Sequence, residues 1–184
     1  MRVECIQLPY FNIKDGANPN AATKTSVTAL HYAAINGHAE IVDHLLEVGA
    51  DPNAAAEAGW TALHRAAENG HGKVVDYLLK AGSNPNAATE AGWIALQRAA
   101  EHGHTEIVDH LLRAGSNPNA AFNGWTALHY AAQHGHVDVI KGLLDAGAKP
   151  DTATRNGRTA LKIATERGHT KVIERLREYE ALRQ

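Results

Sequence analysis

The sequence predicts an all-α solenoid, a stack of short helix-turn-helix units in which each unit buries its apolar face against its neighbours. Three observations predict it. The phrase Thr-Ala-Leu-His stands at Thr28–His31, Thr61–His64 and Thr126–His129, with altered copies at Ile94–Gln97 and Thr159–Lys162, so the starts fall 33, 33, 32 and 33 residues apart. A Gly-His pair follows each copy, at Gly37-His38, Gly70-His71, Gly103-His104, Gly135-His136 and Gly168-His169. A Leu-Leu pair then closes each of the first four units, at Leu45-Leu46, Leu78-Leu79, Leu111-Leu112 and Leu143-Leu144. A period in this range marks stacked repeats, and units this small must borrow a neighbour's surface to form a core.

Each element follows from local signals. In residues 56–88, Gly59 supplies a turn, and Thr61 stands where an N-cap hydroxyl meets the first free amides of a helix over about 62–69. Gly70 ends that helix as a C-cap glycine. A second helix over about 72–81 carries Val74, Val75, Leu78 and Leu79 on one stripe, and Gly82-Ser-Asn-Pro-Asn86 breaks it. The same order repeats along a single domain over 1–184: units at 21–55, 56–88, 89–121 and 122–153, and a capping unit at 154–184 with a longer charged helix to about Leu182. Leu176-Arg177 replaces the usual Leu-Leu in that unit, and a charge there suits a terminal face. Residues 1–20 read as a vestigial half-repeat, because Asp15–Asn20 matches only the tail of a unit and Pro9 disfavours a full second helix; it is expected to cover part of Leu30, Ile41 and Val42. Upstream repeats cut away are the alternative.

The whole pattern, Gly-x-Thr-Ala-Leu-His-x-Ala-Ala-x-x-Gly-His-x-x-x-Val-x-x-Leu-Leu-x-x-Gly-Ala-Asp-Pro-Asn-Ala, resembles the ankyrin repeat from about Asp15 to the C-terminus. The resemblance implies an ankyrin-repeat solenoid, with antiparallel helix pairs side by side and β-hairpin loops projecting at a right angle. Ala29, Ala62, Ala95, Ala127 and Ala160 stand where the family usually has Pro at the first helical position, a change that a good helix former tolerates.

Composition narrows the function classes. A net charge of −2 argues against nucleic acid and anionic membranes as partners, and no apolar run approaches the roughly 18 residues of a membrane span. The N-terminus lacks a secretory h-region, and the single cysteine, Cys5, cannot form an internal disulfide. These features predict an intracellular, cytoplasmic monomer. Twelve histidines raise the question of a metal, but His31, His64 and His129 match the family's hydrogen-bonding imidazole and the Gly-His residues match its turn. His44 and His110 share one position of the second helix and read as outer-face residues. His102 and His134 alone fall at a groove-facing family position, and two imidazoles without a carboxylate or thiol cluster make a weak zinc site. No phosphate loop, Cys-x-x-Cys or nucleophile motif is present, so neither a metal nor another cofactor is expected.

Functional chemistry is therefore sought where the repeat pattern leaves residues free. By the resemblance these are the hairpin tips and the inner side of the first helix, which together line a concave groove. The hairpin position before the Thr holds Val27, Trp60, Trp93, Trp125 and Arg158, so all three tryptophans occupy one repeat position. The helix position after the His holds Tyr32, Arg65, Arg98, Tyr130 and Ile163; three and four residues on, the same face carries Ile35-Asn36, Glu68-Asn69, Glu101-His102, Gln133-His134 and Glu166-Arg167. Trp60, Trp93, Trp125, Tyr32, Arg65, Arg98, Tyr130, Glu68, Glu101, His102, Gln133 and His134 make up the candidate partner-binding strip, because Trp, Tyr and Arg dominate binding hot spots. A plainer reading stands beside it: each tryptophan packs on a neighbouring hairpin, and Glu68 and Glu101 hold Arg65 and Arg98.

The strip predicts a module that grips a protein or peptide partner. The alternative is a small-molecule or enzymatic site from the same residues, which requires a closed pocket between the tryptophans. Three further expectations follow. The third repeat should be the weakest joint, having Ile94 for Thr and Gln97 for His; the alternative is that Gln97 reaches a loop carbonyl and repairs the loss. The fourth hairpin, one residue short between Pro118 and Trp125, should be tighter or shifted in register, taking Trp125 out of line. Groove substitutions should leave the thermal midpoint nearly unchanged, with Asp76 and Asp109 as neutral outer-face controls.

Overall fold

The computed structural model describes residues 18–182. Ten α-helices run in five pairs: α1 Ala29–Ile35 and α2 Ala39–Glu47, α3 Ala62–Asn69 and α4 Gly72–Lys80, α5 Ala95–His102 and α6 Thr105–Arg113, α7 Ala127–His134 and α8 Val137–Asp145, α9 Ala160–Arg167 and α10 Thr170–Ala181. The odd-numbered helices stack on one another as an inner row and the even-numbered ones as an outer row. Most of the half-repeat over 1–20 lies outside the described residues. Within them, Asn20 already makes the inter-repeat bonds of its later equivalents, from Nδ2 to the Gly49 carbonyl (3.0 Å) and from the Asp51 amide to Oδ1 (2.7 Å).

The two rows bury different side chains. Inner helices contribute Leu30, Leu63, Leu96 and Leu128 and the pairs Ala33-Ala34, Ala66-Ala67, Ala99-Ala100 and Ala131-Ala132, all buried. Alanine costs little side-chain entropy and lets backbones approach closely, and the inner row is the more closely packed of the two. Outer helices bury larger residues, among them Val42, Leu45, Val75, Leu78, Val108, Leu111, Ile140, Leu143, Val172 and Leu176. In the last unit Leu176 is fully buried while Arg177 is exposed, and α10 runs longer than its counterparts, with Tyr179 Oη donating to the Leu144 carbonyl at 3.3 Å.

The polar repeat residues join one unit to the next. His31 Nε2–H donates to the Trp60 carbonyl (3.0 Å), leaving Nδ1 to accept the Thr28 amide (3.2 Å) and hydroxyl (2.9 Å). His64 does the same with Trp93 and Thr61, and His129 with the Thr152 carbonyl and Thr126. The threonine hydroxyl thus bonds to the imidazole instead of to a helix amide; only Thr159 Oγ1 accepts an amide, from Lys162 at 3.3 Å. The second histidine set closes helix ends: His71, His104, His136 and His169 donate Nε2–H to the carbonyls of Ile35, Glu68, Glu101 and Gln133 at 3.0 to 3.1 Å, carbonyls that a helix C-terminus leaves without intrahelical partners. Each ring lies over the preceding unit's glycine. A Cβ at Gly70 would stand 2.7 Å from the His104 ring, and Gly70 also has φ of 80°, so this glycine is required twice.

At the third repeat Gln97 reaches the loop carbonyls, the alternative to a weak joint. Gln97 Oε1 accepts the Ile94 amide at 3.0 Å, and its Nε2 donates to the Ala120 (3.2 Å) and Trp125 (3.1 Å) carbonyls. One amide group replaces both jobs of the imidazole, and Ile94 is itself buried, so the helix-start amide and the facing hairpin carbonyl keep their partners at this joint.

The short hairpin is tighter, as its length requires. The other hairpins close from residue i to i+4, as Ala56 to Trp60 (2.8 Å) and Thr89 to Trp93 (2.9 Å); the fourth closes from Phe122 to Trp125 in both directions, at 3.0 and 2.8 Å. Asn123 and Gly124 have φ of 52° and 79°, the two positive values that a two-residue Asn-Gly turn of type I′ needs. The deletion is absorbed inside the turn, because the Trp125 carbonyl still receives the preceding unit's N3 side chain as those of Trp60 and Trp93 do. Trp125 therefore stays in line, contrary to the expected shift.

Candidate functional site

The inner helices and the hairpin strands before them bring eight of the strip residues into one ladder. The guanidinium carbon of Arg65 lies 4.0 Å from the Trp60 ring centre. Arg98 lies between two indoles, 5.1 Å from Trp60 and 4.2 Å from Trp93. Tyr130 follows, 4.9 Å from Trp93 and 5.1 Å from Trp125. The series ends with Arg158, 5.6 Å from Trp125. Cation and aromatic side chains thus alternate with the tryptophans from the second unit to the fifth, at the separations where ring-ring and cation-ring attraction operate.

Carboxylates run beneath the arginines. Glu68 bonds Arg65 at 3.2 Å within its own helix and Arg98 of the next unit at 3.2 Å; Glu101 bonds Arg98 at 2.7 Å; Glu166 bonds Arg158 at 3.3 Å. The Arg98 side chain is 18 % exposed and joins two units, so the structure corrects the expectation that groove positions are neutral to stability. The same holds for one intended control: Asp76 meets His110 of the next unit at 2.7 Å. The plainer reading of the strip is thus realised in part, since these arginines are held by their glutamates and each indole packs against neighbours. Trp60 and Trp125 also lie 5.7 and 5.9 Å from the structural rings of His64 and His129.

The ladder keeps unpaired donors. The three indole N–H groups and the Tyr130 phenol, on half-buried rings, have no hydrogen-bond partner among the described residues, and Nε of Arg98 and of Arg158 is buried without one. Burial of the Tyr130 ring, and secondarily the Glu101 carboxylate, push its phenol pKa up to about 12, so it is a protonated donor at neutral pH. Four strip residues stand apart from the ladder. Tyr32 is 42 % exposed at its N-terminal end; His102 turns Nδ1–H back onto the Arg98 carbonyl (3.0 Å) and stacks on His104; His134 lies beside His136 and within 3.5 Å of Gln133. These last three sit at the Gly-His end of the inner helices, away from the indoles.

Between the tryptophans, where the small-molecule alternative requires a closed pocket, Arg98 stands between Trp60 and Trp93 and Tyr130 between Trp93 and Trp125. A surface depression lies along the Gly-His turns, lined by Gly103, Gly135, His136 and Lys171 among others. Among the described residues no group of His, Cys, Asp and Glu is placed to hold a metal ion, and no helix is long and apolar enough to cross a membrane.

The sequence reading missed the asparagine series that fixes the hairpin spine. Asn53, Asn86 and Asn119 donate Nδ2–H to the Gly82, Gly115 and Gly147 carbonyls (2.9 to 3.0 Å) and accept the amides of Asn84, Asn117 and Lys149 (2.7 to 2.8 Å). Their recurrence after proline at the repeat period was the available signal.

A family model for ankyrin repeats (3 copies) matches residues 4–89 and 96–183, and a second for ankyrin repeats (many copies) matches residues 73–112. No curated protein matches the chain. With matches over most of its length and the paired-helix stack in place, the chain belongs to the ankyrin repeat family, whose members generally act as protein-protein interaction modules.

Proposed function

We propose that the protein binds a partner protein or peptide through the groove along the inner helices, with Trp60, Arg65, Trp93, Arg98, Tyr130 and Trp125 as its central contacts, Glu68 and Glu101 as the carboxylates that orient the arginines, and Tyr32, His102, Gln133 and His134 at its margins. The observation that carries the reading is the line of half-buried indoles and a phenol, their donors unpaired, interleaved with arginines. Rigid aromatic rings lose little conformational entropy on binding and bring large contact area, and the carboxylates below fix the guanidinium planes in advance. Binding is expected of the monomer, without nucleic acid, membrane or cofactor.

The test is capture of partners from native lysate by wild-type bait, Trp93→Ala bait and Lys141→Ala bait, the last an exposed outer-helix position. Loss on truncating a central contact of this kind is expected to reach about 2 kcal/mol or more. Thermal unfolding of each bait is recorded alongside. Capture lost with Trp93→Ala alone, while the bait stays folded at the assay temperature, supports the groove; equal capture by all three baits, or equal loss in both variants, places the binding face elsewhere.

A further inference from the structure

We infer that Asn123 is the chain's preferred deamidation site, and that its β-linked product lengthens the turn that positions Trp125. The reaction requires no partner and proceeds whether or not the groove is the binding face. Asn-Gly pairs occur at Asn36-Gly37, Asn69-Gly70, Asn123-Gly124 and Asn156-Gly157. All four carry the intrinsic chemistry, because glycine places no side chain against the amide that must attack. The fold separates them.

Ring closure needs a free carboxamide and a free glycine amide. At Asn36 and Asn69, which lie at the ends of inner helices, both groups are engaged: Nδ2–H donates to the Tyr32 and Arg65 carbonyls at 2.8 Å, and the Gly37 and Gly70 amides donate to the Ala34 and Ala66 carbonyls. At Asn156 the Gly157 amide donates to the Thr154 carbonyl at 2.9 Å. At Asn123, which is exposed, neither the carboxamide nor the Gly124 amide has a hydrogen-bond partner among the described residues. Closure also turns the Asn Cα–C bond, which disturbs a flanking helix end or hairpin pair at every one of the four.

The step balances with water and base alone. Base removes the Gly124 amide proton, the nitrogen bonds to Asn123 Cγ, and the Cγ–Nδ2 bond breaks, Nδ2 leaving as ammonia with a proton from water. The product is a five-membered cyclic imide. Water then opens it: cleavage at Cγ leaves an ordinary aspartyl residue, whereas cleavage at the main-chain carbonyl carbon leaves the chain running through Cβ and Cγ, one backbone atom longer. That atom matters at this turn. Asn123 and Gly124, with φ of 52° and 79°, are the whole of the loop between Phe122 and Trp125, and a turn of this type matches the strand twist only with both residues at positive φ. A longer backbone there parts the Phe122–Trp125 pair and moves the indole.

The experiment ages the isotopically labelled full chain at mildly alkaline pH. Peptide mapping by mass spectrometry follows conversion and linkage at each Asn-Gly pair, and the indole N–H resonances of Trp60 and Trp125 are recorded alongside. Each hydrogen bond released before closure slows the reaction about fivefold, so Asn123 should convert about fivefold faster than Asn156, and faster still than Asn36 and Asn69. In urea, with no fold to separate them, the four rates should draw together. Asn123→Gly keeps the turn conformation and removes the carboxamide, so its Trp125 resonance should stay single on ageing, while the wild type gains a second one in proportion to its β-linked fraction. Conversion at Asn123 no faster than at the other pairs, the same preference for Asn123 in urea, or an unmoved Trp125 resonance in β-linked protein overturns the inference.

Discussion

Repeats two and three are nearly the same sequence and solve the same joint with different chemistry. His64 and Gln97 occupy one position, both buried, and each accepts the amide at its helix start while donating across to the next hairpin. The joint requires an acceptor and a donor held about an imidazole's width apart; residue type is secondary. The two solutions differ in what they do with protons. Imidazole titrates near neutrality, and burial, only partly offset by the Trp93 and Ala87 carbonyls, lowers the pKa of His64; carboxamide does not titrate.

Deleting either solution is the strongest way to test that equivalence. His64→Leu leaves the Thr61 amide and the Trp93 carbonyl without that partner, and Gln97→Leu the Ile94 amide and the Ala120 and Trp125 carbonyls, at roughly 1–3 kcal/mol per group where buried. Chemical denaturation should show a loss of at least about 2 kcal/mol for each variant on that scale. A loss confined to His64→Leu would mean that Gln97 only fills space.

The second expected effect separates the two solutions. His31, His64 and His129 all have pKa values lowered first by burial, and the charges facing them are arginines: Arg65 toward His31, Arg65 and Arg98 toward His64, and Arg158 toward His129. The unfolded chain therefore takes up protons from about the ordinary histidine value of 6.5 downward while the folded chain does not, so stability is complete above that pH and is lost as pH falls through the folded values. The loss has a structural cause, since a proton on Nδ1 faces the Thr amide that Nδ1 was accepting. Gln97→His should steepen the fall in thermal midpoint between pH 7 and 5, His64→Gln should flatten it, and both should match the wild type near pH 8. Parallel curves for all three proteins would remove these imidazoles as the cause.

What was legible in the sequence followed from period and local chemistry. The stack, the helix starts at Ala29 through Ala160, the longer last helix and the tighter fourth hairpin needed only spacing, glycine and leucine placement. The ladder was legible as a list but not as a structure: the i,i+3 pairing of Arg98 with Glu101 could be read from one helix, whereas its bond to Glu68 and its place between Trp60 and Trp93 depend on the distance between units. Inter-repeat geometry also decides between the two readings of Gln97, since its reach to the Trp125 carbonyl is set by the neighbouring unit. Trp125 was misjudged, because the register rule for strands does not anticipate that Asn123-Gly124 takes up the whole deletion before the tryptophan.

The smallest effect expected is at the helix start itself. If the N3 side chain alone serves the helix-start amide, as Gln97 and the three histidines do, the hydroxyl at the N-cap contributes little there, and Ile94→Thr should bring no gain in stability, since it also gives up buried apolar surface. That contrasts with the roughly 1 kcal/mol usual for a cap residue whose hydroxyl bonds a helix amide. The matching substitution Thr61→Val removes a hydroxyl whose partner, His64 Nδ1 at 2.8 Å, still holds the Thr61 amide, so its cost should stay near that of one neutral hydrogen bond, about 1 kcal/mol. Amide hydrogen exchange reads the same point without mutation. Protection over residues 96–100 should equal that over 63–67 and 128–132, since all three helix starts have the N-cap amide paired and their leucines buried. Markedly faster exchange in the third repeat would show that Gln97, for all its bonds, holds its joint less well than histidine does.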